Sequence, residues 1–497
     1  MKLQSRKTGI QKAAWFFLGI VILISSGCAA VGPDYVRPEV PVYKQWHNQG
    51  QAGLNEKNTG AQPSLADWWT ALNDPKLSDL VRRAEKGNLD LKKAKARIRE
   101  ARALRGQAAA DLYPTLNSSG SYTRSKASQN SSATGQDTAA GDLYSVGFDA
   151  SWELDIFGGV RRSVEAAEAT LQANEEDWRD VLVSLLAEVA SSYVDVRTYQ
   201  GRIAIAEENL KAQEETYQLT VWRNQAGLSD ELAVQQARYN LESTRAGIPT
   251  LRTGLEKAMN RVAVLLGEQP GKVHEELSGR ESIPVAPLTA ATGIPADILR
   301  RRPDIRKAER NLAAQTAKIG VATADLYPKF TLNGSIGLEA LTGGKLFNWS
   351  SRNYSYGPGI SLPIFDGGSI RQNIEVQSAL QEQYLIAYET AVLTALEEVE
   401  NALVAYSGEQ KKRQALIDAA SAAKQAAELA KNKYQAGLAD FTGVLDAERS
   451  RLSYEDELAT SEGTVTTDLI SLYKALGGGW TAPANDKSGS ILTGSNK

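Results

Sequence analysis

Two stretches of strict apolar/polar alternation stand in each half of this chain. In the first half, Leu112, Pro114, Leu116, Gly120 and Tyr122 oppose Thr115, Asn117, Ser119, Ser121 and Thr123. Alternation resumes with Tyr144, Val146, Phe148, Ala150, Trp152 and Leu154 against Ser145, Gly147, Asp149, Ser151 and Glu153. In the second half, Pro328, Phe330, Leu332, Gly334, Ile336 and Leu338 oppose Lys329, Thr331, Asn333, Ser335, Gly337 and Glu339. Tyr354, Tyr356, Pro358, Ile360, Leu362 and Ile364 then oppose Ser355, Gly357, Gly359, Ser361 and Pro363. A period of two with one apolar face predicts strands over about 112–124, 143–155, 327–340 and 353–364. A β-sandwich alternates too, but the Tyr, Trp and Phe content favours membrane interfaces. Proline cannot donate to a sheet ladder, so the four prolines are expected at strand ends or bends.

After each strand pair the period changes to that of a helix. Over 160–224, Val164, Leu171, Trp178, Leu182, Leu185, Val189, Val196, Ile203, Leu210 and Tyr217 recur at helical spacing with no proline. A helix of that length spans roughly 100 Å. Residues 370–434 repeat it. Gly227 and Gly437 end these helices, and shorter helices return over 230–266 and 440–476. Long Ala-rich antiparallel helices read as coiled coil, or as a soluble bundle or stalk. Lys76 to Ala110 reads as one helix stopped by Tyr113-Pro114.

The two halves are copies. Gln-Ala-Gly-Leu occurs at 225–228 and 435–438, and Asp-Leu-Tyr-Pro at 111–114 and 325–328, at offsets of 210 and 214 residues. The repeats are placed at 76–283 and 284–480, each a strand, strand, long helix, helix unit, with a disordered tail over 481–497. Two strands per half give four per chain. Four strands cannot close, and an open edge cannot face lipid. Membrane barrels start at about eight strands, so several chains must share one barrel. Symmetry alone does not choose three over two or four. Helices of that length would project into the periplasm.

The N-terminus is a targeting segment, 1–27: basic Lys2, Arg6, Lys7 and Lys12, then an apolar run from Ala13 to Ile24 too short to span a membrane. Ser25-Ser26-Gly27 precede Cys28, the sole cysteine. This order is similar to a bacterial lipobox, with Ser25 where Leu is usual. Acylation would leave Cys28 as the mature N-terminus of an extended, lipid-anchored segment over 28–75. The alternative is an ordinary signal with an incidental cysteine. Ala29 in place of Asp favours the outer membrane.

Composition adds exclusions. A net charge of −3 suggests no nucleic-acid partner. Two His, one Cys and two Met leave little for a metal site, and no cofactor is expected. No nucleophile–His constellation or phosphate loop points to an enzyme, and His47 and His274 fall outside the expected helices and strands.

Three segments carry a family resemblance: Gly32-Pro33-Asp34-Tyr35-Val36-Arg37-Pro38, Arg300-Arg301-Arg302-Pro303-Asp304-Ile305-Arg306-Lys307-Ala308-Glu309, and Leu472-Tyr473-Lys474-Ala475-Leu476-Gly477-Gly478-Gly479-Trp480. In order and spacing they resemble outer-membrane efflux lipoproteins of the OprM type, relatives of TolC. The resemblance implies a mixed α+β membrane protein: a homotrimer with a shared twelve-stranded β-barrel, a long α-helical barrel and an equatorial domain. It implies a passive exit duct, joined through a periplasmic adaptor to an inner-membrane transporter. A type I protein-secretion duct is the alternative, since one tube serves both.

The resemblance also implies a periplasmic gate just beyond the second Gly turn. Asp446 and Arg449 fall at its charged positions, Thr442 at its usual apolar one, and Tyr434 at a Tyr that links helix pairs. The Arg expected opposite Tyr434 is replaced by Ala439. Three Asp446 carboxylates on an axis would raise one another's pKa and interact with cations. The alternative is a surface ion pair with Arg449 at i,i+3. Asp230, Glu231 and Asp440 sit at the turns, either to dock the adaptor or to complement helix N-termini.

Overall fold

The structure, a computed structural model, describes residues 30–41, 46–47, 65–128, 140–285 and 299–481. Cys28, the targeting segment and nearly all of the expected tail lie outside these residues. The chain forms α1 (Pro75–Gly87), α2 (Leu89–Ala110), β1 (Thr115–Ser125), β2 (Gly141–Leu154), α3 (Gly159–Gln225), α4 (Glu231–Leu265) and α5 (His274–Leu277). It continues with α6 (Pro303–Ala324), β3 (Lys329–Ala340), β4 (Arg352–Ser361), α7 (Ser369–Gln435) and α8 (Phe441–Ala475). Both long helices have 67 residues and both return helices 35. Two compact units arise: residues 1–38, 98–174 and 308–388, and residues 39–97, 175–307 and 389–497.

The first unit holds the sheet, antiparallel in the order β1-β2-β3-β4. Its register puts the apolar parity of all four strands on one face, as in Phe148↔Ile336↔Tyr354 and Leu154↔Phe330↔Ile360. Tyr122 and Tyr144 meet on that face at 4.9 Å. The other face carries a polar ladder: Ser121 to Ser145 at 2.8 Å, Ser151 to Asn333 at 2.8 Å, Ser335 to Ser355 at 2.9 Å. The apolar face is bare: Ile336 is 64% exposed and Tyr356 84%. An apolar sheet face of this extent stays out of water only against lipid or protein. The strands have 11, 14, 12 and 10 residues, enough for tilted membrane strands. β1 and β4 each keep an edge that no other strand of the described sheet pairs.

Pro114 and Pro328 stand immediately before β1 and β3, and Pro363 lies past β4. Pro358 departs from expectation: it lies inside β4, paired with Leu332. Its ring carries no N–H, so one ladder position of β4 lacks a donor. β4 also ends at Ser361 rather than at 364.

The second unit is built on a continuous core. Trp68 stacks on Tyr473 at 5.3 Å, among Leu77, Leu80, Leu186, Tyr193, Leu266 and Tyr406, all fully buried. The single helix expected over 76–110 is two. Asp74 caps α1 through Leu77 N at 2.9 Å, and the chain breaks at Asn88. Asn88 Oδ1 accepts from Leu91 N at 3.0 Å, capping α2, while its Nδ2 donates to Leu265 O at 2.9 Å. A Cβ on Gly87 would lie 2.0 Å from Leu266 O, so α1 can approach the end of α4 only with glycine there. Among the described residues no helix is long and apolar enough to cross a membrane.

Candidate functional site

The two turns that follow the long helices lie in the second unit and share one design. Gly227 and Gly437 take φ of 73° and 70°, the left-handed region open to glycine. Leu228 N donates to Arg223 O at 2.8 Å and Leu438 N to Lys433 O at 2.9 Å, closing α3 and α7 as Schellman turns. Asp230 then caps α4, accepting from Ala233 N at 2.9 Å, and Asp440 caps α8, accepting from Gly443 N at 3.3 Å. Glu231 accepts from Gln235 Nε2 at 2.7 Å. All three turn acids are thus engaged locally, the caps satisfying first-turn N–H groups.

Beside the turns, Ala233, Ala237, Tyr434, Phe441, Val444 and Leu445 form a small apolar cluster. Tyr434 is buried in it, 5.6 Å from the Phe441 ring. The Arg223 guanidinium lies over the Tyr434 ring at 4.7 Å and Arg223 Nη1 donates to Gln435 O at 3.3 Å. Sequence reasoning found no arginine for Tyr434 because it looked at Ala439. The cation comes instead from the last turn of α3, in the other half of the chain. Its signal was only a basic residue at a helix C-terminus.

On α8 the spacing of 442, 446 and 449 sets Thr442, Asp446 and Arg449 along one side, and all three are exposed. Val444, Leu445 and Glu448 are buried on the other. The alternative, an i,i+3 pair with Asp446, is not what holds the arginine. Among the described residues, Arg449 Nε donates to Asn240 Oδ1 at 3.3 Å and its guanidinium lies 5.2 Å from the Tyr239 ring, both on α4. Glu448 accepts from Thr216 Oγ1 at 2.7 Å and Asn240 Nδ2 at 3.4 Å. Burial pushes its carboxyl above the usual range, against the Thr216 hydrogen bond and the charges of Lys431 and Arg451. Sequence reading also passed over the apolar side chains bared beside the turns: Trp222, Leu228, Leu232 and Leu438.

The motif segments hold the chain together. In the first unit Val31 N donates to Phe157 O at 3.0 Å, where β2 gives way to α3. Buried Arg162 donates to Val31 O at 3.1 Å and pairs with Asp34 at 2.6 Å. Buried Glu309 accepts from Tyr35 Oη at 3.3 Å and pairs with Arg37 at 3.2 Å and with Arg310. In the second unit Arg302 donates to Ala475 O at 2.9 Å and pairs with Asp304 at 2.6 Å and Glu398 at 2.7 Å. Among the described residues no group of three or more His, Cys, Asp or Glu could hold a metal.

The profile of the family described as outer membrane efflux protein matches residues 80–268 and 294–478. Nodulation protein T of Rhizobium leguminosarum bv. trifolii is 35% identical over 464 residues, 93% of this chain and 97% of that protein. The probable efflux pump outer membrane protein TtgC of Pseudomonas putida is 32% identical over 475 residues, 95% of this chain and 97% of that protein. The structure of the outer-membrane channel OprN superposes with a TM-score of 0.85 at 38% identity, covering 91% of this chain and 100% of that one.

Proposed function

This chain belongs to the outer membrane efflux protein family, and we propose that it works as the trimeric, lipid-anchored, gated exit duct of a tripartite pump. It is an outer-membrane efflux channel and not an enzyme. The observation that carries the finer reading is the four-stranded sheet with one bare apolar face and two open edges. Such a sheet is stable in lipid only when other copies close it. Three copies give about twelve strands, within the range of membrane barrels. A periplasmic adaptor and an inner-membrane transporter then deliver small-molecule cargo to a passive duct.

Cys28 is the lipid attachment site in this reading. Val31, three residues on, is tied to Phe157 O and Arg162 at the end of β2. The described chain thus starts beside the end of β2, which supports an acyl chain entering the membrane near that strand. Mass spectrometry should find an acylated Cys28 as the first residue. An intact residue 1 or an unmodified Cys28 would remove the anchor.

The gate is assigned to Thr442, Asp446 and Arg449, with Tyr434 buried behind them. Support comes from the exposed side of α8 that they occupy and from the absence of an Asp446–Arg449 pair among the described residues. A ring of Asp446 carboxylates would select or bind cations. Asp446→Ala should therefore alter cation selectivity or block in planar bilayers, and Arg449→Ala should raise closed-state conductance. Parent-like behaviour of both variants would refute the assignment.

A further inference from the structure

We infer that Glu448 is a buried clasp that positions Arg449 and holds α8 on α3 and α4, and that protonating Glu448 tightens the clasp. The inference extends the gate reading above and names its control. One carboxylate joins three helices from both halves of the chain. Oε1 accepts from Thr216 of α3 at 2.7 Å, and Oε2 accepts from Asn240 of α4 at 3.4 Å. The same Asn240 turns its Oδ1 to Arg449 Nε at 3.3 Å. Glu448, Thr216 and Asn240 are 8%, 1% and 5% exposed. A side-chain amide donates from one end and accepts at the other. Asn240 therefore transmits the position of the carboxylate to the guanidinium.

The clasp is one member of a polar seam between α3 and α8. On α3, Arg202, Asn209 and Thr216 stand seven residues apart. They meet Asp456 at 2.8 Å, Glu455 at 2.8 Å and Glu448 at 2.7 Å on α8. Polar groups at seam positions fix register and cost stability relative to apolar packing. Gln213, 3% exposed and one turn from Thr216, has neither amide atom hydrogen-bonded in the structure. The closed seam thus carries buried polar groups that it satisfies incompletely, which lowers the cost of leaving it.

Charge compensation of Glu448 is indirect. Among the described residues, Lys431 of α7 pairs with Glu215 of α3 at 3.0 Å. Arg451 of α8 pairs with Glu455 at 2.9 Å and Glu208 of α3 at 2.7 Å. Arg449 is taken by Asn240 and Tyr239 of α4. Lys431 and Arg451 favour the ionised carboxylate through space, but burial outweighs them and leaves the carboxyl above its usual range. A carboxyl with a raised pKa in the clasped state binds its proton more tightly there than when solvated. By linkage the clasp is firmest in acid and loosens as pH rises from the ordinary carboxylate range through the raised value.

The test uses the purified full-length protein between pH 4.5 and 8, with two readouts. One is closed-state conductance in planar bilayers. The other is amide hydrogen exchange of residues 441–456, corrected for intrinsic exchange. In the parent, conductance should rise and protection fall as pH increases. Glu448→Gln keeps an acceptor for Thr216 without the charge. It should be pH-flat and, at pH 8, exchange more slowly than the parent by roughly tenfold, the scale of a hydrogen bond and charge effect of this kind. Thr216→Val removes one donor to the ionised form and should shift the pH midpoint upward. It serves as the second arm if Glu448→Gln does not fold. Glu448→Gln that keeps the parent pH profile, or Thr216→Val that leaves the midpoint in place, overturns the clasp. If Asp446→Ala still alters selectivity in that event, the gate reading survives it. If protection follows Glu448 as expected while no variant at 446, 448 or 449 changes conductance, the clasp stands and the gate reading falls.

Discussion

Glu309 shows what a motif residue contributes. It is 5% exposed and serves Tyr35, Arg37 and Arg310 at once. The sequence showed two motifs far apart; only the fold shows that they meet on one carboxylate. Glu309→Ala should cost about 2 kcal/mol, below the range for a fully buried pair because Arg37 is half exposed. Thermal unfolding would measure it, and protease should cut residues 30–41 sooner. A second residue gives a pH dependence. Burial, with Glu409 close by, pushes the half-buried Asp468 carboxyl up to about 6. Folded chains then bind a proton more tightly than unfolded ones. The stabilisation is present in acid and lost as pH rises from the ordinary value, about 4, through about 6. Asp468→Asn should match the parent near pH 4 and melt above it at pH 7 to 8; equal melting temperatures at both would contradict this. At the site, Thr442, Asp446 and Arg449 came from the family resemblance, and the structure sets them on one exposed side of α8. Arg223 and Asn240 were not legible, because each is fixed by register between helices of different halves.

Elements with a strong period were readable, and breaks made by tertiary contact were not. Strand parity put the alternating apolar residues that lie within the strands on one common face, since a period of two leaves no other choice once register is set. The long helices announced themselves by length, and their ends by the glycines at 227 and 437. The break at Asn88 carries a signal of the same kind, Lys86-Gly87-Asn88, but the helical pattern resumes at once beyond it. It is the end of α4, through Leu265 O and Leu266 O, that makes the break. Pro358 misled for the converse reason, since the alternation runs on through a proline that removes only one donor from the ladder. The caps offer a test at this scale. Asp230→Ala should destabilise by about 1 kcal/mol. Asp440→Ala should do less, since its cap is longer at 3.3 Å against 2.9 Å. Faster amide exchange in the first turn of α4 than of α8 across the two variants would bear this out, and the reverse order would count against it.

At the scale of the whole molecule, the sheet of one chain is incomplete by itself. Each chain brings a sheet of four strands with an apolar face and two open edges, and lipid permits neither edge to stay open. Helices of 67 residues follow the strand pairs in both halves. The proposed sharing of one barrel therefore stands on one quantity, the number of chains per channel. Native mass spectrometry of the full-length protein, extracted from outer membranes in mild detergent, measures that number directly. The account predicts three copies, each carrying the mass of an acyl-modified cysteine. A monodisperse monomer that still forms pores would contradict it.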